Sequence, residues 1–533
     1  MITVKVSEVG PEKTSIRNQT IRYIPKIIFK ILEPLSFLFI MNTTDYLLNL
    51  SNDDSLAFIT KDTKVSYGSF RNICARLIDE LNNKEIEPGD KVAIWGANSP
   101  YWAAAYLAIM KLGAVAVPIS TLLSKDDFNR NMAFAGCKFL FIGKPIYDRF
   151  SSLCDEFPFF VLDDKLLQGG PFNWEVSDPN FDIDRDAALM LTSGTTAQPR
   201  AVRITHRNIQ ANTESIIKYL ELTSEERMMV VLPFFYCFGA SLLHTHLRVG
   251  ASLVICNTFT YPQTVLDLME NTNCTGFAGV PSTYQTLLRN STFPDRSLPK
   301  LRKIQQAGGK LHDALLRELI DSHLLAKVYV MYGQTEATAR LSYLPPELID
   351  SKFGSIGKGI PGVTLSVVRE EDGKSVQAGE IGEITATGDN ISPGYYNDPE
   401  ATQEKFSNGV LFTGDMATVD EQGFIYIVDR KSDFIKSYGH RVSSSEIESC
   451  VLQNPNVVAA AAVGVPDEHA GEMIKLFIIL CDGSTLKSEN IMGFCHADLP
   501  RHMWPQEIII TTSFPMNAHG KVIKSDLRKY GID

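Results

Sequence analysis

The sequence predicts an α/β protein with a large N-terminal domain of stacked, mainly parallel sheets and helices, a barrel-like antiparallel subdomain, and a small mobile α+β C-terminal domain. Three observations carry that prediction. Short β-branched runs alternate with helix-length apolar stretches through most of the chain, which is the pattern of βαβ units. After about Gly354 the texture changes to short strands punctuated by Gly and Pro. Near Asp429 a charged stretch precedes a new helix start and two further strand-like runs.

The first clear unit begins at Lys91. KVAIWGANSPYWAAAYLAIMKLGAVAVPIS offers a β-branched run, a cap at Ser99 before Pro100, an apolar helix, Gly113 as its stop, and a second strand. Further strands are expected at Ala187–Leu191, Met229–Leu232, Ser252–Cys256 and Val328–Met331, with helices at Asn208–Tyr219 and Asp313–Ser322. Strands this uniformly apolar suit parallel sheets covered on both faces. SVVREEDGKSVQAGEIGEITATG then reads as antiparallel strands. Beyond Asp429, Ser445-Glu446-Ile447-Glu448 reads as a capping box, followed by strands at Val457–Val465 and Lys475–Leu480. The expected division is an N-terminal extension over 1–40, a large domain over 41–428 and a small one over 429–533. No internal repeat is visible.

A chain of 533 residues exceeds what one hydrophobic core usually serves. Its formal net charge of -11 argues against a general nucleic-acid binder, whose affinity rests on cations neutralising phosphates. Nine scattered cysteines with no C-x-x-C spacing suggest neither a disulfide framework nor a zinc site, so a reducing, cytoplasmic setting is expected. The apolar segment Ile24–Met41 is interrupted by Lys26, Lys30, Glu33 and Pro34, unlike a spanning helix. Its alternative reading is an amphipathic helix contacting a membrane surface.

Candidate chemistry begins after the strand at Ala187. Thr192-Ser193-Gly194-Thr195-Thr196-Ala197-Gln198-Pro199-Arg200 is a run of hydroxyls and small residues closed by a cation. Such a loop can wrap N–H groups, hydroxyls and positive charge around phosphate oxygens, although alone it is an ordinary solvated loop. No Walker A pattern occurs. Gly357-Lys358-Gly359-Ile360-Pro361-Gly362 satisfies G-x-G-x-x-G, but it runs into the strand-like VTLSVV, leaving a dinucleotide no helix N-terminus to use.

TSGTTAQPR resembles the phosphate loop of the adenylate-forming superfamily, which includes AMP-dependent acyl-CoA synthetases and acyl-AMP ligases. That superfamily's other motifs follow in order. Gly308-Gly309 precedes Tyr332-Gly333-Gln334-Thr335-Glu336, then come Phe412-Thr413-Gly414-Asp415, Asp429-Arg430-Lys431-Ser432-Asp433 with Lys436 and Gly439, and Asn517 with Gly520-Lys521. The resemblance covers about Met41 to the C-terminus.

The resemblance implies a nucleotide site of Thr192, Ser193, Gly194, Thr195, Thr196, Arg200, Gly308, Gly309, Tyr332, Gly333, Asp415 and Arg430. Thr335, Glu336 and Lys521 would act in catalysis, with Glu336 also holding magnesium, since a hard cation prefers oxygen ligands. Asp429 would be the hinge, Lys436 and Gly439 part of the tunnel for the thiol arm, and Tyr236, Cys237, Phe238 and Gly239 the acyl pocket. The implied cofactors and substrates are Mg2+, ATP, a carboxylic acid, and CoA or a phosphopantetheine arm as acceptor. Ala197, Arg200 and Ala201 depart from the family's usual Gly, Lys and Gly. No Asp occurs between Pro233 and Ser241 to meet a substrate ammonium, which disfavours amino acids and favours a fatty, aryl or related acid. Loading of an acyl-carrier protein, a catalytically silent nucleotide-binding protein, and a luciferase-like oxygenase are the rival readings.

Overall fold

The computed structural model describes residues 41–154, 157–168, 181–192, 199–323, 325–454, 456–481, 483–516 and 522–530. The expected extension over 1–40 lies outside them, and with it residues 24–40 of the segment considered for membrane contact. No helix among the described residues is long and apolar enough to cross a membrane.

Two mainly parallel sheets enclose a layer of helices. The first has nine strands in the order Lys358–Gly359, Ser342–Leu344, Lys327–Tyr332, Lys303–Gln306, Gly276–Gly279, Arg227–Val230, Ser252–Ile255, Leu56–Ile59 and Lys64–Ser66. It is parallel through its middle and antiparallel at both edges. The second runs Phe159–Leu162, Cys137–Gly143, Lys91–Trp95, Val115–Ile119, Asp186–Thr192 and Arg200–Thr205, with an antiparallel hairpin at its end. Period-two alternation sends neighbouring side chains into different cores. Met228 and Val230 join the interior shared with Val92 and Ile94 of the second sheet, whereas Met229 faces an outer core with Leu266 and Leu319. Ala93 and Trp95 face a third core with Phe128 and Met132.

The helix Pro100–Leu112 lies in the shared interior, buried from Trp102 to Met110. Its expected boundaries hold: the Ser99 hydroxyl accepts from Trp102 N–H at 3.0 Å, and Gly113 ends it at φ 79°. At the glycine-rich run Lys358–Gly359 forms a short edge strand and the strand Thr364–Val368 follows, so no helix N-terminus is there to receive a dinucleotide.

An antiparallel sheet of Thr364–Val368, Gly382–Thr387, Val410–Val419, Phe406–Ser407 and Ile425–Arg430 comes next. The last sheet orders His440–Val442, Ile435–Ser437, Gly471–Leu480 and Val457–Asp467, with Glu507–Ile510 parallel to Gly471–Leu480. Helices Ser444–Val451 and Ser488–Asp498 cover one face of it through Ile447, Val451, Ile491 and Cys495. One boundary differs from expectation: the cap of Ser444–Val451 is Ser443, not Ser445. The Ser443 hydroxyl accepts from Glu446 N–H at 3.3 Å, while Ser445 N–H is taken by the Asp429 carboxylate at 3.2 Å.

Candidate active site

Strand register creates the centre of the site. Asp415 and Arg430 are direct partners across the antiparallel pair Val410–Val419 and Ile425–Arg430. The Arg430 Nε lies 3.4 Å from Asp415 Oδ1, and that carboxylate holds the guanidinium above its ordinary range. On the other side the Tyr332 hydroxyl, at the end of the strand Lys327–Tyr332, donates to Asp415 Oδ2 at 2.5 Å. Burial, reinforced by Asp415, pushes the Tyr332 phenol well up, so it serves as a fixed donor.

A cavity of about 340 Å³ opens here, within the range of small-molecule sites. Gly308, Gly309, Tyr332, Gly333, Asp415 and Arg430 line it, as do Asp429 and, from the C-terminal part of the chain, Glu448 and Lys524. Six of the expected nucleotide contacts therefore converge on one volume.

Beside this cavity a second cluster assembles around Glu336, which sits in the short helical turn Thr335–Ala337. Glu336 Oε1 accepts from the Tyr395 hydroxyl at 2.8 Å, and Ser392 N–H donates to the Glu336 carbonyl at 2.9 Å. Burial and then Glu336 push the Tyr395 phenol strongly up. Arg200 lies over the Tyr395 ring at 4.9 Å and 3.4 Å from Asp398. The Lys405 ammonium donates to the Thr413 carbonyl at 2.6 Å. Burial pushes Lys405 down, opposed by the nearby Glu336, Asp415 and Glu383 carboxylates. Sequence reasoning missed Tyr395 and Lys405. Nothing in YYNDPEATQEKF distinguishes them from an ordinary helix and its approach.

The expected acyl-pocket residues adjoin both groups. Thr335 Oγ1 donates to Cys237 Sγ at 3.5 Å, and a Cβ on Gly308 would lie 4.0 Å from the Tyr236 hydroxyl. Arg340, four residues beyond Glu336, lies over the Phe238 ring at 3.9 Å. Gly239 faces chain rather than open space: a Cβ there would sit 2.0 Å from the Pro233 carbonyl oxygen.

Asp429 Oδ2 accepts from the Ser444 hydroxyl at 2.8 Å and the Ser443 hydroxyl at 3.2 Å, tying the expected hinge to the following helix. Lys524 pairs with Glu448 at 2.8 Å. Lys436 and Gly439 occupy an exposed hairpin, and neither lines the cavity. Ser193, Gly194, Thr195, Thr196 and Lys521 lie outside the described residues, while Thr192 and Arg200 flank the loop.

Glu336 suits a magnesium ion. One oxygen is held by Tyr395, the other accepts nothing among the described residues, and no group of three metal-ligating side chains competes with it among them. A single carboxylate completed by phosphate oxygens and water is the usual magnesium arrangement in phosphate sites.

A family model for AMP-binding enzymes matches residues 50–396, and one for the AMP-binding enzyme C-terminal domain matches residues 446–521. A feruloyl-CoA synthase of Amycolatopsis sp is 29% identical over 476 residues, covering 88% of this chain and 94% of that relative. An oxalate–CoA ligase of Arabidopsis thaliana is 30% identical over 467 residues, covering 84% and 89%. Among solved structures, O-succinylbenzoate coenzyme A synthetase from Bacillus subtilis, in complex with ATP and magnesium ion, matches with a TM-score of 0.82 at 26% identity. The match covers 92% of this chain and 99% of that one.

Proposed function

The chain belongs to the AMP-binding enzyme family and is an AMP-forming acid–thiol ligase, and from that premise we propose that it activates a non-amino carboxylic acid with ATP and passes the acyl group to CoA. The observation that carries the reading is the convergence of Tyr332, Asp415, Arg430 and Gly308-Gly309 on one cavity beside Glu336 and Arg200.

In this reading Asp415 accepts from the ribose hydroxyls, with Arg430 and Tyr332 fixing its carboxylate. Arg200, Lys405 and the Thr192–Thr196 loop face the phosphates. Magnesium, when bound, would be held by Glu336 and would offset charge on those phosphates. The substrate carboxylate attacks the α-phosphorus and pyrophosphate leaves, with Lys521 meeting the charge that develops there. The thiol then attacks the acyl carbon and releases AMP. Positioning and fixed charge supply the rate, with no protein nucleophile.

The division into 41–428 and 429–533 belongs to the same proposal. The smaller part turns about Asp429, bringing Lys521 to the first step and the Lys436–Gly439 hairpin to the second, so that one cavity serves both. No disulfide joins the cysteines whose side chains are described, which supports a reducing cytoplasm.

The test is pyrophosphate release with Mg-ATP and a panel of fatty, aryl and amino acids, in wild type and Lys521→Ala. Acid-dependent release falling by about 10²-fold or more in the variant is expected. Thioester formation with free CoA, rather than only with a phosphopantetheinylated carrier protein, identifies the acceptor. ATP binding without release for any acid would sink the proposal in favour of a silent nucleotide-binding protein.

A further inference from the structure

Arg340 is among the largest fully buried side chains, only 2% exposed. Its carbonyl accepts from Asn212 Nδ2 at 3.1 Å and Asn390 Nδ2 at 2.9 Å, so its backbone is pinned from two sides. The guanidinium carbon lies 3.9 Å from the Phe238 ring centroid, and the Tyr219 hydroxyl, which donates to Met331 Sδ at 3.0 Å, is a neutral hydrogen-bond partner of the Arg340 side chain. Its Nε is buried without a partner, and no ion pair among the described residues includes it.

A buried guanidinium without a carboxylate is costly, and an aromatic face offsets only part of that cost. The cation therefore calls for an anion that the described residues do not supply. Its place says where that anion comes from. Phe238 belongs to the segment that adjoins Thr335 and Glu336 through Cys237 and Tyr236. The charges of Arg340, Arg430 and Glu336 all act on the Tyr236 hydroxyl, which neighbours Gly308 at the cavity wall. Arg340 does not itself line the cavity; it backs Phe238, whose neighbours Cys237 and Tyr236 reach Thr335 and the Gly308 wall.

Resting on the acid-activation reading above, we propose that Arg340 is a specificity-determining residue that selects short acids carrying a second carboxylate. The distal carboxylate pairs with the Arg340 guanidinium in front of the Phe238 ring, while the proximal one is left to attack ATP. The same charge repels an α-ammonium, and a long alkyl chain would leave the guanidinium buried and unpaired.

Calorimetry on the full-length protein, saturated with an α,β-methylene ATP analogue that cannot release pyrophosphate, compares succinate, glutarate and adipate with butyrate and hexanoate. The same series is run on Arg340→Met and Arg340→Lys. The best diacid is expected to bind about 10- to 100-fold more tightly than the monoacid of equal length, as a charge-assisted pair would give. Arg340→Met should erase that ratio and Arg340→Lys retain part of it, with affinity for the ATP analogue unchanged in both. Equal or tighter binding of the monoacids by wild type overturns the proposal, as does a diacid preference that survives Arg340→Met. The wild-type comparison decides even where a variant does not fold. Because binding is read without turnover, diacid selection without any pyrophosphate release would defeat the activity reading alone.

Discussion

Asp415 holds two partners at once, Tyr332 at 2.5 Å and Arg430 at 3.4 Å, and neither is adjacent to it in sequence. Asp415→Asn keeps the shape and removes the charge that both partners face. The KM for ATP is expected to rise about tenfold or more, the scale of a hydrogen bond to a charged group, while thermal stability changes little. An unchanged KM in steady-state assays would remove Asp415 from the nucleotide site. Lys405 and Arg340 teach the complementary point. Lysine before a β-hairpin and arginine after a turn look solvated in a sequence, because the usual place for both is the surface. Only the surrounding elements make one a half-buried neighbour of three carboxylates and the other a buried cation with no ion pair among the described residues.

Among the elements, the helix Pro100–Leu112 shows how local chemistry delivers a boundary. Ser99, Pro100 and Gly113 each act within one turn of the chain, which is why the start and stop are legible. Ser99→Ala is expected to cost about 1 kcal/mol, read as a lower midpoint of chemical unfolding with ATP affinity unchanged. Other boundaries differ. The strand expected at Met229–Leu232 is Arg227–Val230, since apolar character continues through Val231 and Leu232 beyond the ladder. Gly276–Gly279 carries no strand signal, yet it is central in the first sheet. Its place comes from parallel pairing with Arg227–Val230 on one side and Lys303–Gln306 on the other, which no local pattern records. The Ser443 cap escapes a sequence reading because three consecutive serines compete and a distant carboxylate, Asp429, decides among them.

At the scale of the whole molecule, the buried interior carries a titratable load. Burial pushes His206 and His244 down to about 3 and His246 to about 4. His244 meets the Tyr106 hydroxyl at 3.2 Å, and His246 Nδ1 meets the Leu242 carbonyl at 2.9 Å. All three stay neutral in the folded state, whereas the unfolded chain takes up their protons near pH 6.5. The unfolded state then binds more protons, so stability falls as pH drops from about 6.5 towards 3 to 4. At pH 5 each histidine is expected to cost about 2 kcal/mol. Thermal unfolding between pH 7.5 and 5 should show this, and His244→Gln should lower the proton uptake on unfolding by about one. An unaltered pH slope in that variant would show that His244 is not held neutral.

The sequence by itself determined the α/β class, the order of the layers' building units, and the family, because periodicity, caps and contiguous motifs are local patterns written within a few residues. It also named Tyr332, Glu336, Asp415 and Arg430 as candidates. Only the tertiary structure decided which of these share a cavity, that Tyr395 and Lys405 stand beside them, and that Arg340 lies buried against Phe238 with no ion pair among the described residues. Those outcomes depend on strand register and on the burial of charge between elements far apart in the chain, and both are set by packing that no local pattern records.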